Sequence, residues 1–268
     1  MSEKLLEVRN LNVRLKKSGE TLVKDISFSM EKGQTLGIIG ESGSGKTMTG
    51  KALLRLLNPR VFETGGEALF CGRNLLALHE DEFRSLRGKA LSMIMQNPMT
   101  AFAPMTRIGK QLTVTLSAHL AIGKKEAYER ALRALRDVNL HQAEKIMRSY
   151  PHELSGGMLQ RAMIALALML RPKLIIADEA TSSVDAISEE MILEEFMKIR
   201  AQGISLLIVT HDFGVAAALA DHILVMKDGC IMEQGTARSI FHAPRHEYTK
   251  ELMDASVLAE VNNHAQSF

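Results

Sequence analysis

GIIGESGSGKTMTG, Gly37 to Gly50, decides how the rest of the chain is read. An apolar strand-like run ends at Gly40, and Gly40-Glu41-Ser42-Gly43-Ser44-Gly45-Lys46-Thr47 then fits G-x-x-x-x-G-K-[ST]. The pattern expects a strand before it and a helix after it. The glycines let successive backbone N–H groups curl around phosphate oxygens, and the helix that follows turns its positive end toward them. Lys46 is expected to reach the β- and γ-phosphates, and Thr47 to offer its hydroxyl to Mg2+. The loop by itself suits kinases, GTPases and many ATPases equally.

KLIIADEATSSVD, Lys173 to Asp185, is the second informative stretch. A buried strand that ends in two acids is costly unless positive charge meets them. Taken alone, it reads equally as a strand running out into a solvated acidic turn. Beside a phosphate loop, Asp178 is placed to hold Mg2+ directly or through water, and Glu179 to polarise an attacking water as general base. A third stretch, YPHELSGGMLQRAMIALALML, sets Ser155 as an N-cap ahead of Gly156 and Gly157 and an apolar helix. This gives a second anion-accepting helix start between the phosphate loop and the paired acids.

The remainder of the chain is consistent with an α/β core. Leu5–Leu15 partly alternates as a strand, and Thr21–Gly40 reads as two strands around a turn at Glu31–Gly33. Ala90 to Gln96 reads as a further strand. From Thr106 to Tyr150 the pattern turns helical, with Ala127, Ala131, Leu132, Leu135 and Val138 near a 3.6 period. Strand and helix then alternate again: a strand to Asp178, a helix from about Ala186, a strand to Thr210, a helix from about Phe213 and a hairpin over HILVMKDGCIMEQG.

Composition narrows the options. A formal charge of +2 offers no electrostatic footprint for nucleic acid. Cys71 and Cys230 stand in no metal or redox spacing and read as reduced thiols of a cytosolic protein. The longest apolar run, Ala162–Leu170, is too short for a bilayer, which needs about 20 residues, so any work at a membrane is expected to go through a partner.

With these three stretches in this order, the chain resembles the nucleotide-binding subunits of ABC transporters from about Leu5 to Met253. The resemblance implies a P-loop NTPase core of α/β class with an antiparallel β subdomain and a helical signature subdomain. It implies one nucleotide-binding domain over residues 1–268, with the helical part at about 97–165 and a C-terminal tail from about 236. Gln96 is then the glutamine that senses Mg2+ and touches the transmembrane partner. Ser155 to Gly157 close on ATP held by an opposite subunit, Ser182 to Asp185 form the loop that follows the acids, and His211 contacts the γ-phosphate. Three positions depart from the family pattern: Ala180 stands where proline is usual, Ser-Ser-Val-Asp where Ser-Ala-Leu-Asp is common, and Leu15 where most relatives stack an aromatic on adenine.

SIFHAPRHEYTKELMDA is similar to the tail of the peptide/nickel importer branch, and IMQNPMTAFAPM and LSGGMLQRAMIA look like its nickel-import members. That likeness implies ATP- and Mg2+-dependent nickel uptake. The assembly would hold a paralogous second ATPase or a second copy of this chain, two permease subunits and, indirectly, an extracytoplasmic binding protein, with this chain on the cytoplasmic face of the inner membrane. Dipeptide, oligopeptide or metallophore import is the alternative cargo. A soluble ABC ATPase acting on DNA or ribosomes lacks its usual second cassette or long coiled coil here, and a P-loop kinase leaves LSGGM and His211 without a use. His242 and His246 flank Pro244, which disfavours a helix that would align them as metal ligands.

Overall fold

Strand β1 (Lys4–Leu15) opens the chain in a computed structural model that describes residues 3–182 and 185–255. It pairs antiparallel with both β2 (Thr21–Glu31) and β4 (Phe62–Phe70). Between those two neighbours in sequence lie β3 (Thr35–Ile39) and helix α1 (Lys46–Leu53). A short β5 (Arg73–Asn74) extends β4. Alternation in β1 has a plain cause: Leu6, Val8, Leu11 and Val13 are buried while intervening positions meet solvent.

The middle of the chain carries α2 (Glu80–Leu86), β6 (Leu91–Ile94), α3 (Ile108–Leu120), α4 (Lys124–Asp137), α5 (Ala143–Arg148), α6 (Gly156–Leu168), β7 (Leu174–Asp178) and α7 (Ala186–Ala201). The strand expected over Ala90–Gln96 stops at Ile94, because the chain turns toward Pro98, where Asn97 caps a single 3-10 turn by accepting from the Met99 N–H. Helix α4 buries Ala127, Ala131 and Leu135, the face its 3.6 period marks out. Gly109 of α3 lets that helix meet α5 closely, since a Cβ there would lie 2.5 Å from the Met147 carbonyl.

The last part comprises β8 (Ser205–Thr210), α8 (Phe213–Leu219), β9 (His222–Lys227), β10 (Cys230–Thr236) and α9 (Ala237–His242), with residues 247–255 again helical. The chain divides into two compact units, the described parts of Met1–Glu80 with Ser205–Phe268, and Asp81–Ile204. In the first, β3 lies parallel to β8 on one side and to β9 on the other, and β10 closes a hairpin with β9. All five residues of β3 and all six of β8 are buried, as strands covered on both faces should be. In the second, β6 and β7 run parallel, Ile94 opposite Ala177. No helix among the described residues is long and apolar enough to cross a membrane.

Candidate functional site

In the first unit, β3 and β8 end level, with Ile39 opposite Thr210. Gly40 and His211 therefore leave the same carboxyl edge of adjacent parallel strands, where ligands of open α/β sheets bind. The loop after β3 is forced by close backbone approach. Gly40 has φ 150°, and a Cβ on it would lie 2.1 Å from the Met226 carbonyl; Gly45 has φ 100°, with the Leu22 carbonyl 2.8 Å from the same atom. From below, the hairpin turn between β9 and β10 supports the loop, the Gly229 N–H donating to the Ser44 carbonyl at 3.1 Å.

Lys46 is buried inside this loop. Its Nζ donates to the carbonyls of Gly40 and Glu41, each at 2.7 Å, and reaches Ser44 Oγ at 3.4 Å. The start of α1 has no side-chain cap and no acid in its first turn, and a Cβ on Gly43 would meet nothing within 4 Å. A curled main chain, an enclosed ammonium, an uncapped helix start and room over Gly43 together suit a polyphosphate. Glu41, Ser42 and Gly43 line the exposed side of the loop, and Thr47 is half-buried at its end. His211 is exposed; the next residue, Asp212, caps α8 by accepting from the Val215 N–H at 2.9 Å. Leu15 is half-buried at the end of β1 and stands opposite Phe62 of β4, so an aromatic does occur at this place, on the neighbouring strand.

In the second unit, Asp178 ends β7 and is 5% exposed. Glu179 has φ 46°, a left-handed conformation uncommon outside glycine and concentrated at functional sites. Its carboxylate accepts from Gln96 Nε2 at 2.8 Å, and its carbonyl accepts from Ser182 Oγ at 3.0 Å. Gln96 thus engages the second acid of the pair. Among the described residues no group of three or more His, Cys, Asp or Glu could hold a metal ion. The Thr47 hydroxyl of the first unit and the Asp178 carboxylate of the second are each hard oxygen donors of the kind Mg2+ takes, so each by itself fits a metal that arrives with its nucleotide.

Ser155 caps α6, its Oγ accepting from the Met158 N–H at 3.3 Å. Gly156 starts that helix on its exposed side, whereas Gly157 faces α7 so closely that a Cβ would lie 2.3 Å from Ser188 Oγ. Ser188 in turn donates to Asp185, from N–H at 3.0 Å and from Oγ at 2.8 Å. These bonds from Ser188 hold the Asp185 carboxyl below the ordinary aspartate range. Gly157 and Asp185 are in this way joined through one serine. Ser183 and Val184 of the Ser182–Asp185 loop lie outside the described residues.

Sequence reasoning overlooked two side chains. Gln160, buried in α6, donates to the Ala180 carbonyl at 2.7 Å, tying that helix to the turn after the paired acids. Its signal was a polar residue within an apolar helix. Tyr248, in the C-terminal HEYT stretch, accepts from the Glu41 N–H at 3.3 Å. His246 uses Nδ1 to accept from the Tyr248 N–H at 3.1 Å.

A family model described as ABC transporter matches residues 23–182. The chain is 41% identical over 261 residues to the metal-staphylopine import system ATP-binding protein CntD of Staphylococcus aureus, covering 97% of this chain and 95% of that one. It is 44% identical over 256 residues to the oligopeptide transport ATP-binding protein OppD of Salmonella typhimurium, 94% of this chain and 76% of that one. Among solved structures, the dimeric post-hydrolysis ATP-binding cassette MJ0796 bound to ADP and Pi superposes with a TM-score of 0.77 at 26% identity, over 87% of this chain and 99% of that chain.

Proposed function

Because the chain belongs to the ABC transporter family as one of its ATPases, we propose that it is the ATP-hydrolysing subunit of a membrane importer whose cargo is nickel, taken up as the ion or in a small chelator. The loop that encloses Lys46 at the carboxyl edge of β3 carries the ATPase half of this reading. The metal half is supported by the similarity, over nearly the full length of both chains, to a metal-staphylopine import protein. Peptide import is the second reading, favoured by the 44% identity to an oligopeptide transport protein.

In this reading Lys46 and the backbone N–H groups from Gly43 to Thr47 bind the β- and γ-phosphates of ATP. Thr47, Asp178 and Gln96 would hold Mg2+, which would neutralise phosphate charge when bound. Glu179 takes a proton from the attacking water, and His211 orients the γ-phosphate. Leu15 gives adenine an apolar contact. Ser155 to Gly157 and Asp185 face ATP held by a partner ATPase, a paralogue or a second copy, so hydrolysis requires the pair. Two permease subunits span the membrane and receive the movement; an extracytoplasmic binding protein delivers cargo to them, and this chain sits on the cytoplasmic face. The transported ion need not touch this chain.

Purification with the membrane partners and reconstitution in vesicles tests the assignment. ATP-dependent uptake of Ni2+, of Ni2+ with a chelator, and of dipeptides is compared side by side. Uptake of nickel in either form is expected; uptake of dipeptides alone moves the cargo to the second reading, and no ATP-driven transport of any kind overturns the importer assignment.

A further inference from the structure

The Gly40–Glu41 peptide unit is gripped on both sides. Its carbonyl accepts from Lys46 Nζ at 2.7 Å, while its N–H donates to Tyr248 Oη at 3.3 Å. Carbonyl and N–H point in opposite directions across a trans peptide, so the ammonium and the phenol hold the same peptide from its two opposite edges. The next carbonyl, of Glu41, also accepts from Lys46 at 2.7 Å. Were this peptide to flip, an N–H would face the ammonium where a carbonyl now does, and one of its two carbonyl contacts would become a repulsion.

Tyr248 is built into the fold as a fixed post. It is 4% exposed and belongs to the same buried cluster as Val225, Ile240 and Ile39, the residue just before Gly40. Lys227 Nζ lies 4.3 Å from the ring centroid. The segment that presents it is tied to β10: the Glu233 carboxylate accepts from the N–H groups of Arg245 at 2.9 Å and His246 at 3.1 Å. Burial works against ionisation of Glu233, but the hydrogen bonds it accepts outweigh this and hold the carboxyl below the ordinary glutamate range. Burial also pushes the Tyr248 phenol up, which keeps it neutral. A phenylalanine would pack as well; what the hydroxyl adds is an acceptor for Glu41.

We propose that Tyr248 is a positioning residue for Lys46: its hydroxyl sets the Gly40–Glu41 peptide so that two carbonyls aim the ammonium at the nucleotide phosphates. The C-terminal tail thereby acts on the phosphate loop from more than two hundred residues away in sequence. This rests on the reading of that loop as the ATP site.

The test measures ATP affinity up to millimolar nucleotide for the full chain and for Tyr248→Phe, Lys46→Ala and the double variant, with melting temperature in the absence of nucleotide. Tyr248→Phe is expected to weaken ATP binding roughly tenfold, the upper end of the scale for one neutral hydrogen bond, while the melting temperature stays within about 3 °C. In the Lys46→Ala background the same change is expected to add nothing, because the hydroxyl acts through the ammonium. Affinity of Tyr248→Phe within about twofold of the parent overturns the proposal, and so does an equal loss in both backgrounds, which would mark a merely structural role. If Lys46→Ala itself leaves affinity unchanged, the phosphate reading of the loop fails, a different result from either.

Discussion

The side-chain amide of Gln96 donates to the carboxylate of Glu179 at 2.8 Å. This bond fixes the direction in which the Glu179 carboxylate points. The carboxylate is further oriented by a left-handed backbone and by the Ser182 hydroxyl on its own carbonyl. Such a group is suited to align a water, and it is held separately from Asp178, the acid before it.

Replacing Glu179 by Gln should therefore leave ATP binding within a few-fold of the parent and lower hydrolysis by about 10²-fold or more, the scale of lost general-base catalysis. Phosphate release by the assembled complex, set beside nucleotide affinity, checks this. Near-parental turnover would remove Glu179 from the base role.

Gln160 holds the carbonyl of Ala180, the residue directly after Glu179. Gln160→Leu keeps the bulk of the side chain but leaves the Ala180 carbonyl without this donor, while also removing the Gln160 Oε1 atom, which is buried and has no hydrogen-bond partner. The two effects oppose, and the net expectation is a loss of about 1 kcal/mol of stability with reduced hydrolysis. Urea unfolding read together with turnover tests the pair; unaltered values of both would show that this bond does not hold the turn.

Asp185 is ionised more readily in the folded chain than in the unfolded one, because Ser188 donates to it twice. Its contribution is fully present above the ordinary aspartate range and is lost as pH falls through the lowered folded value. The stability gap between the parent and Asp185→Ala should thus be open at neutral pH and close as the solution is acidified below about pH 4. Denaturant midpoints measured across that range decide it, and a gap that does not change with pH would contradict the expected linkage.

Several features were legible because they are local. Gly40 to Thr47 announce a phosphate loop, since the glycine positions and the following helix start lie within one short segment. Ser155 caps the helix it precedes, and Pro244 ends helical structure near His242, for reasons confined to a few residues. The expected strand to Gln96 stops two residues early because the apolar run continues through Met95, beyond the point where the chain begins its turn toward Asn97 and Pro98.

What the sequence by itself determined is the set of segments and the chemistry each can present: a phosphate loop, a strand ending in two acids, a capped glycine pair and a histidine after a strand. Only the tertiary structure decided which of them meet. Placing β3 between β8 and β9 brings Gly40 against Met226 and Tyr248 against Glu41, and pairing β6 with β7 brings Gln96 to Glu179. The reason is physical. Periodicity, caps and turns arise from hydrogen bonds between near neighbours, whereas strand order is set by the burial of whole faces, which no single stretch of the chain encodes.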